Sequence, residues 1–277
     1  MIETVKTVAL LGLLTGLFLG AGYYLGGSSG AAAALVFSLL MNFFAYWYSD
    51  KIVLRMYNAR EISKTENAGI HKLIEEISGE AKIPKPKIYL VDQKAPNAFA
   101  TGRDPKHGAL AVTTGLMEIL DKAEIKGVLA HEIAHIKNRD TLTSTLAATF
   151  AGALAFTAQM AYYGALFGGR DRNRNPIGLI LMVIFVPLAA TIVRLAISRS
   201  REFAADRTGA IFIQETEGLA SALSKISDAS KHVLMKGNPA TSHMFIINPF
   251  KGDLLMNLLS THPSTEARIR SLKSLKL

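Results

Sequence analysis

Three long stretches of this chain contain no charged side chain. They span residues 7–49, 141–169 and 175–193 and are 43, 29 and 19 residues long. All charged residues, 19% of the 277-residue sequence, fall in the remainder, whose composition is that of an ordinary soluble domain. Because a helix needs about 20 apolar residues to cross a bilayer, the pattern predicts an integral membrane protein that also carries a soluble part.

The first stretch is too long for one crossing and is interrupted at residues 26–30 by three glycines and two serines. We therefore expect its two halves to form a hairpin of membrane helices joined by a tight turn. Lys51 and Arg55 follow an aromatic cluster after the second half, as is typical where a helix leaves the membrane. Four membrane helices are predicted in all, at residues 5–25, 31–48, 142–167 and 176–197.

The membrane helices divide the chain into four parts. Residues 1–48 form an N-terminal membrane hairpin, and residues 141–197 contain the third and fourth membrane helices. Residues 49–140 and 198–277 are predicted to form the two halves of one soluble domain.

Sequence periodicity predicts a mixed secondary structure for this soluble domain. Strands are expected at residues 87–91, 97–101 and 109–114, the last two as a hairpin. Helices are expected at residues 62–82, 116–139 and 200–231, with further short helices at the C-terminus. The prediction is a mainly α protein whose soluble domain is α+β with a small β-sheet.

The most informative motif is His131-Glu132-Ile133-Ala134-His135, inside the predicted helix of residues 116–139. Two histidines four residues apart lie on one helix face, so both can bind one metal ion. Glu132 can then act as a general base on a metal-activated water. The chain has no cysteine, which excludes disulfides, thiolate zinc ligands and a cysteine nucleophile.

A catalytic zinc needs a third protein ligand and an open fourth position. The downstream candidates are Glu202, His232 and His243. Glu202 and Asp206 share a predicted helix face, so Glu202 is suited to bind the metal while Asp206 accepts a hydrogen bond from a ligand histidine. Pairing of these two carboxylates with neighbouring arginines on a solvated face explains the spacing equally well.

Four segments together resemble the HtpX family of membrane metallopeptidases, which is related to the zinc-type CaaX prenyl protease. The segments are His131 to His135, Glu202-Phe203-Ala204-Ala205-Asp206, Asn97-Ala98-Phe99-Ala100-Thr101-Gly102 and His262-Pro263. The resemblance covers essentially the whole chain. It implies a zincin-like domain with one Zn²⁺ per chain, held by His131, His135 and Glu202. It also implies Glu132 as the catalytic base of an endopeptidase in protein quality control.

The resemblance implies roles for two further regions. An edge strand containing Asn97, Ala98, Phe99 and Ala100 would bind substrate by pairing with the peptide as an additional strand. His262, together with Arg268, would stabilise the tetrahedral oxyanion. Without the resemblance, a hairpin strand with no ligand is the better explanation of residues 97–100. A histidine in a turn before a helix explains His262 equally well.

The basic residues that flank the apolar helices predict a multi-pass protein of the inner (plasma) membrane with its protease domain in the cytoplasm. Because the predicted ligands lie on both sides of the third and fourth helices, the chain must cross the membrane an even number of times between them. Full spanning conflicts with the basic loop between these helices, which contains Arg170, Arg172 and Arg174. We nevertheless expect both helices to span.

The net charge of +9 is not arranged as a dense basic stripe with interleaved aromatics, so nucleic acid is not expected as a partner. The expected partners are the lipid bilayer and unfolded or damaged membrane-protein substrates. The sequence does not indicate the oligomeric state. Two other functions are considered. One is selective processing of prenylated peptides. The other is a non-enzymatic zinc-binding membrane protein, which would carry ionisable residues inside its spans.

Overall fold

The computed structural model describes residues 2–147, 149, 199–235, 241, 244–248 and 263–277. Most of the predicted third membrane helix and all of the fourth lie outside these residues. His243 and His262, two of the predicted site candidates, also lie outside them.

The N-terminal apolar region is a helical hairpin, α1 (Ile2–Met56), which bends back on itself at two glycines. Gly26 has φ −146° and ψ 19°, and Gly27 has φ 60°, a left-handed value that glycine adopts readily. The bend lies within the predicted turn. In the part of the chain that is described, Gly26–Tyr48 is the one helical segment long and apolar enough to cross a membrane. The other three predicted crossings are therefore not established.

Polar contacts and close backbone packing join the two arms of this hairpin. The side-chain nitrogen of Asn42 donates a hydrogen bond to the Thr15 hydroxyl at 2.9 Å. Near the bend, Gly22 and Gly30 approach so closely that a Cβ on either would overlap the other's backbone. Small residues thus allow the two arms to pack against each other.

The soluble part contains a mixed sheet of four strands among the described residues. The strands are β1 (Arg60–Glu61), β2 (Lys87–Val91), β3 (Ala98–Thr101) and β4 (Ala109–Thr113). Their order across the sheet is β1-β2-β4-β3, with β2 parallel to β4 and both outer strands antiparallel to their neighbours. The predicted strands and hairpin are confirmed, and β3 lies at an edge of the sheet.

Six further helices surround this sheet in the described part of the chain. They are α2 (Ala68–Ala81), α3 (Thr114–Ile119), α4 (Lys122–Asn138), α5 (Arg199–Ile213), α6 (Glu217–Ser230) and α7 (Thr265–Lys273). A short 3₁₀ turn, Pro105–His107, lies in the β3–β4 hairpin. The mixture of helices with a small sheet agrees with the predicted α+β class.

Two of the predicted long helices were wrong in extent, because each is two helices. The predicted helix 116–139 breaks at Leu120, whose backbone is extended, and α4 then starts from a capping box. In this box the Asp121 carboxylate accepts the Glu124 N–H, and the Glu124 carboxylate accepts the Asp121 N–H. The predicted helix 200–231 breaks at Gln214, which has a left-handed φ of 51°.

Helix α4 packs against α2, α5, α6 and β3, and two of these contacts bring backbones together. A Cβ on Gly209 of α5 would lie 2.9 Å from the backbone of Ala130 and His131 in α4. A Cβ on Gly127 of α4 would lie 2.5 Å from the backbone nitrogen of Leu219 in α6. The absence of side chains at these two crossings therefore sets the distance between α4 and its neighbours.

We predict that Gly209→Ala destabilises the protein, because the added methyl group must push α5 away from α4. Overpacking of this kind costs about 1–3 kcal/mol. Gly79→Ala is the matched control, since Gly79 lies on α2 with open space around its Cα. There the gain in helix propensity should stabilise the protein by up to about 1 kcal/mol. Thermal unfolding in detergent measures both changes, and equal melting temperatures for the two variants would contradict the prediction.

Candidate metal centre

Two histidines of α4 and one glutamate of α5 converge on a single point. The Nε2 atoms of His131 and His135, one helical turn apart, are 3.1 Å from each other. Glu202 places Oε1 3.6 Å from His135 Nε2 and Oε2 3.9 Å from His131 Nε2. Ligand atoms bound about 2.0–2.2 Å from a common ion are separated by about 3–4 Å, so this donor set fits one metal ion. Within the described residues, these three form the one such group.

Each of the two histidines has a carboxylate behind its other ring nitrogen. His131 Nδ1 lies 2.9 Å from Asp206 Oδ1, and His135 Nδ1 lies 2.8 Å from Asp140 Oδ2. A histidine that donates its Nδ1 proton to a carboxylate keeps the lone pair of Nε2 free for a metal. The two Nε2 atoms are therefore oriented as ligands on the side that faces Glu202.

Asp140 was not among the residues predicted from the sequence. It follows α4 after Arg139, whose left-handed backbone (φ 63°) ends the helix, so helical spacing does not predict where its side chain points. An acidic residue shortly after the second histidine was the available signal. Asp206, in contrast, contacts His131, and its four-residue spacing from Glu202 was the signal that pointed to it.

Arg268 of α7 reaches the same cluster and is 1% exposed. Its Nε and Nη2 donate to the two carboxylate oxygens of Asp206 at 2.9 and 2.6 Å. Its Nη1 donates to the Ile246 carbonyl at 2.8 Å and lies 3.5 Å from Glu202 Oε2. This two-pronged contact holds Asp206 against His131.

Burial among these charges shifts several pKa values. Burial, with the Arg268 guanidinium nearby, lowers the pKa of His131 to about 4. Although burial opposes it, the guanidinium also lowers the pKa of Asp206 to about 2. Against the effect of burial, the carboxylates of Asp140 and Glu202 raise the pKa of His135 to about 9. His135 therefore holds a proton near neutral pH, and a metal ion must displace it to bind.

Glu132 is not part of this donor set, but it lines the same cavity as the two histidines and Glu202. It is 2% exposed, and its carboxylate lies near the Ala100 backbone of β3. Burial raises its pKa to about 7, which suits a group that must both accept and release a proton near neutral pH.

The predicted substrate strand, β3, lies beside a cavity that the candidate metal ligands line. Ala100 lines the cavity together with Glu132, while Ala98 and Phe99 are fully buried in the sheet. The side-chain nitrogen of Asn97 donates to the Ile247 carbonyl at 2.8 Å. The structure therefore places all four predicted residues close to the candidate metal ligands or to the segment next to them.

Of the other predicted candidates, His232 is exposed in the turn after α6 and is not part of the cluster. His243 and His262 lie outside the described residues. The structure thus brings together Glu132, Glu202, Asp206 and Arg268 around the two histidines of α4.

The sequence of this chain also matches known proteins. The sequence profile described as Peptidase family M48 matches residues 64–276. The chain belongs to peptidase family M48. The resemblance drawn from the motifs is therefore confirmed, and the protein is a metalloprotease. Membership of a peptidase family decides against the non-enzymatic zinc-binding protein considered above.

Curated relatives match this M48 peptidase over nearly its full length. It is 51% identical to the "Protease HtpX homolog" of Sulfurihydrogenibium sp. (strain YO3AOP1), over 99% of this chain and 97% of that protein. The homolog from Aquifex aeolicus is 54% identical over 93% and 88%, and that from Pyrococcus furiosus 50% over 99% and 96%.

Among solved structures, the crystal structure of S. mikatae Ste24p has a similar fold, with a TM-score of 0.53 at 17% sequence identity. The match covers 98% of this M48 peptidase but 65% of the Ste24p chain, so the present chain spans less than two thirds of that longer protein. The likeness is one of fold.

We predict that Asp140→Asn weakens metal binding, because the amide no longer holds His135 in its ligand orientation. Loss of such a hydrogen-bond partner lowers metal affinity about 10- to 100-fold. Glu202→Gln, which removes a ligand, should abolish stoichiometric binding. Asp228→Asn is the matched control, since Asp228 is 70% exposed and pairs with Lys231 on the surface. Zinc titration of the chelator-treated protein measures all three, and an Asp140→Asn affinity equal to that of the control would contradict the prediction.

Proposed function

We propose that this M48 peptidase is a multi-pass, zinc-dependent endopeptidase of the inner membrane that cuts unfolded or damaged membrane proteins on the cytoplasmic side. The ligands are His131, His135 and Glu202. The division into residues 1–48, 49–140, 141–197 and 198–277 belongs to the same proposal, with the second and fourth parts forming the protease domain. The basic flanks of the apolar helices support the cytoplasmic orientation.

The donor set supports zinc as the metal. Two imidazoles and one carboxylate form the ligand set of catalytic zinc in several proteases, where a fourth position stays open for the reaction. The zinc supplies a Lewis acid that polarises the peptide carbonyl and makes water a stronger nucleophile.

Glu132 is the group that we assign to proton transfer. Its carboxylate takes a proton from the attacking water and returns it to the leaving amine nitrogen, which completes hydrolysis of the peptide bond. The nearby Ala100 backbone favours the ionised carboxylate, the form that accepts the proton, by lowering the pKa of Glu132 against the effect of burial. Arg268 positions Asp206, and through it His131. The oxyanion role predicted for His262 and Arg268 stays a prediction.

The observation that carries the membrane part of the proposal is the path of the chain after α4. Residues 140–147 are helical and pack directly against α1. The Thr143 and Thr7 hydroxyls share a hydrogen bond of 3.1 Å. Four apolar side chains form a common cluster at this contact, Leu14, Ala45, Leu146 and Ala147. The metal ligands are thereby held close to the membrane hairpin, where membrane proteins with unfolded segments are the nearest substrates.

The edge position of β3 supports an enzyme that accepts many sequences. A peptide that pairs with an edge strand is recognised chiefly through its backbone, which every unfolded segment offers. We therefore assign Asn97, Ala98, Phe99 and Ala100 to substrate binding.

We predict that Glu132→Gln retains about one zinc per chain, because Glu132 is not a ligand, and loses peptide cleavage. Removal of a general base lowers the rate by a factor of about 10² to 10⁴. Metal analysis of the purified variant, with an assay of peptide cleavage and of self-cleavage, measures both effects. Wild-type activity in Glu132→Gln would contradict the mechanism.

The substrate class is tested with the wild-type protein reconstituted in lipid vesicles. A membrane protein with an unfolded cytoplasmic tail should be cut faster than casein, because the first substrate is concentrated at the surface that holds the site. Equal rates would contradict the membrane-protein substrate class. Faster cleavage of a prenylated peptide than of either protein would favour selective processing instead.

A further inference from the structure

The outer edge of β3 is formed by the backbone groups of two alanines. The Thr113 N–H donates to the Asn97 carbonyl, and Phe99 and Thr101 stand opposite Ala111 and Ala109 of β4. In an antiparallel pair, alternate residues direct their backbone groups away from the partner strand. The carbonyl groups of Ala98 and Ala100 therefore point to the edge at which a peptide would pair, whereas the Ala98 N–H is bonded to the Asn97 side-chain oxygen at 3.1 Å.

Residues 244–248, which we call the edge segment, already contact this edge. The Ile246 N–H donates to the Ala98 carbonyl at 3.3 Å. The Ile247 carbonyl accepts a hydrogen bond from the Asn97 side chain, and the Ile246 carbonyl accepts one from Arg268, both at 2.8 Å. One backbone group of the edge segment is thus bound to β3 as that of a peptide substrate would be, and two of its carbonyls are held by side chains.

Aromatic packing anchors the edge segment. The Phe245 ring lies edge-on to the rings of Tyr57 and Phe99, with centroids 5.3 and 5.4 Å away. The Tyr57 hydroxyl is hydrogen-bonded to the Thr241 hydroxyl. Tyr57 follows the last residue of α1, so the anchor lies between the membrane hairpin and β3.

The edge segment also closes the space in front of the metal ligands. Met244, Phe245 and Ile246 line the cavity that contains His131, His135 and Glu132. The cavity has a volume of about 30 Å³. A space of about this size holds one or two water molecules.

We propose that the edge segment occupies the substrate edge of β3 and that a substrate peptide binds by displacing it. This inference rests on the proposed function, in which peptides pair with β3. The arrangement described here is then the closed form of the protease, in which the segment competes with every substrate.

The chemistry of the edge segment indicates which substrates can displace it. A competing peptide must be extended, since it has to replace a backbone N–H and two carbonyls at once. It must also carry large apolar side chains, because Phe245 and Ile246 are 1% and 2% exposed and leave apolar surface uncovered when they move out. Unfolded segments of membrane proteins have both properties, whereas folded proteins and polar peptides do not.

The absence of cysteine from the chain makes a direct test possible. Ala98→Cys and Ile246→Cys are combined in the full-length protein, since the Ile246 N–H is hydrogen-bonded to the Ala98 carbonyl and the two residues are therefore neighbours. Oxidation should leave the zinc content unchanged and lower cleavage of an unfolded apolar peptide at least tenfold, and a reductant should restore it. The two single-cysteine variants are the matched controls and should respond to neither reagent.

Full activity of the oxidised pair, with the disulfide verified by mass spectrometry, overturns the proposal. If the wild type itself cuts no peptide, the proposed function fails and not the role of the edge segment. The two failures are therefore distinguishable in one experiment.

A second variant tests the effect of weakening the contact between the edge segment and β3. Phe245→Ala removes the aromatic anchor and should lower the KM for the same peptide several-fold, because the apparent affinity rises with the open fraction of the protein. Phe212→Ala is the control, since Phe212 packs beside Lys137 and is not among the residues that line the cavity. An unchanged KM in Phe245→Ala, or loss of cleavage with zinc still bound, counts against displacement.

Discussion

The buried guanidinium of Arg268 connects the three helices that surround the candidate metal centre. Arg268 on α7 binds both carboxylate oxygens of Asp206 on α5, and Asp206 faces His131 on α4. Each of these side chains is 1% exposed, so removal of one partner would leave an uncompensated buried charge, at a cost of about 3–5 kcal/mol. Because arginine keeps its proton, Asp206 stays ionised and His131 stays neutral, which is the form of histidine that binds a metal.

The same helices connect the candidate metal centre to the N-terminal helical hairpin α1 and to the edge of the sheet. Helix α5 contacts the backbone of α4 at Gly209, and residues 140–147 continue from α4 onto α1. Tyr57, just after α1, contacts both Phe99 of β3 and Phe245. The proposed displacement of residues 244–248 from β3 would therefore also loosen a contact beside the N-terminal hairpin, which couples substrate entry to the packing of α1.

Much of the local structure was predictable because short-range rules govern it. The helix that carries His131 and His135 follows from sequence periodicity, and the β3–β4 hairpin follows from β-branched and aliphatic runs around a turn. The break before α4 could also have been predicted from Asp121 and Glu124, whose spacing is that of a capping box. The break at Gln214 has no comparable signal. Its left-handed backbone is decided by how α5 and α6 pack on α4.

The sequence by itself determined the apolar stretches, the pair of histidines on one helix face and the restriction of metal ligands to histidine and carboxylate. These properties depend on composition and on the helical repeat, which need no partner elsewhere in the chain. Only the tertiary structure decided that Glu202 meets both histidines, that Asp140 supports His135, and that Ile246 pairs with Ala98. Such contacts join residues from separate elements, and their geometry depends on the distances at which those elements pack.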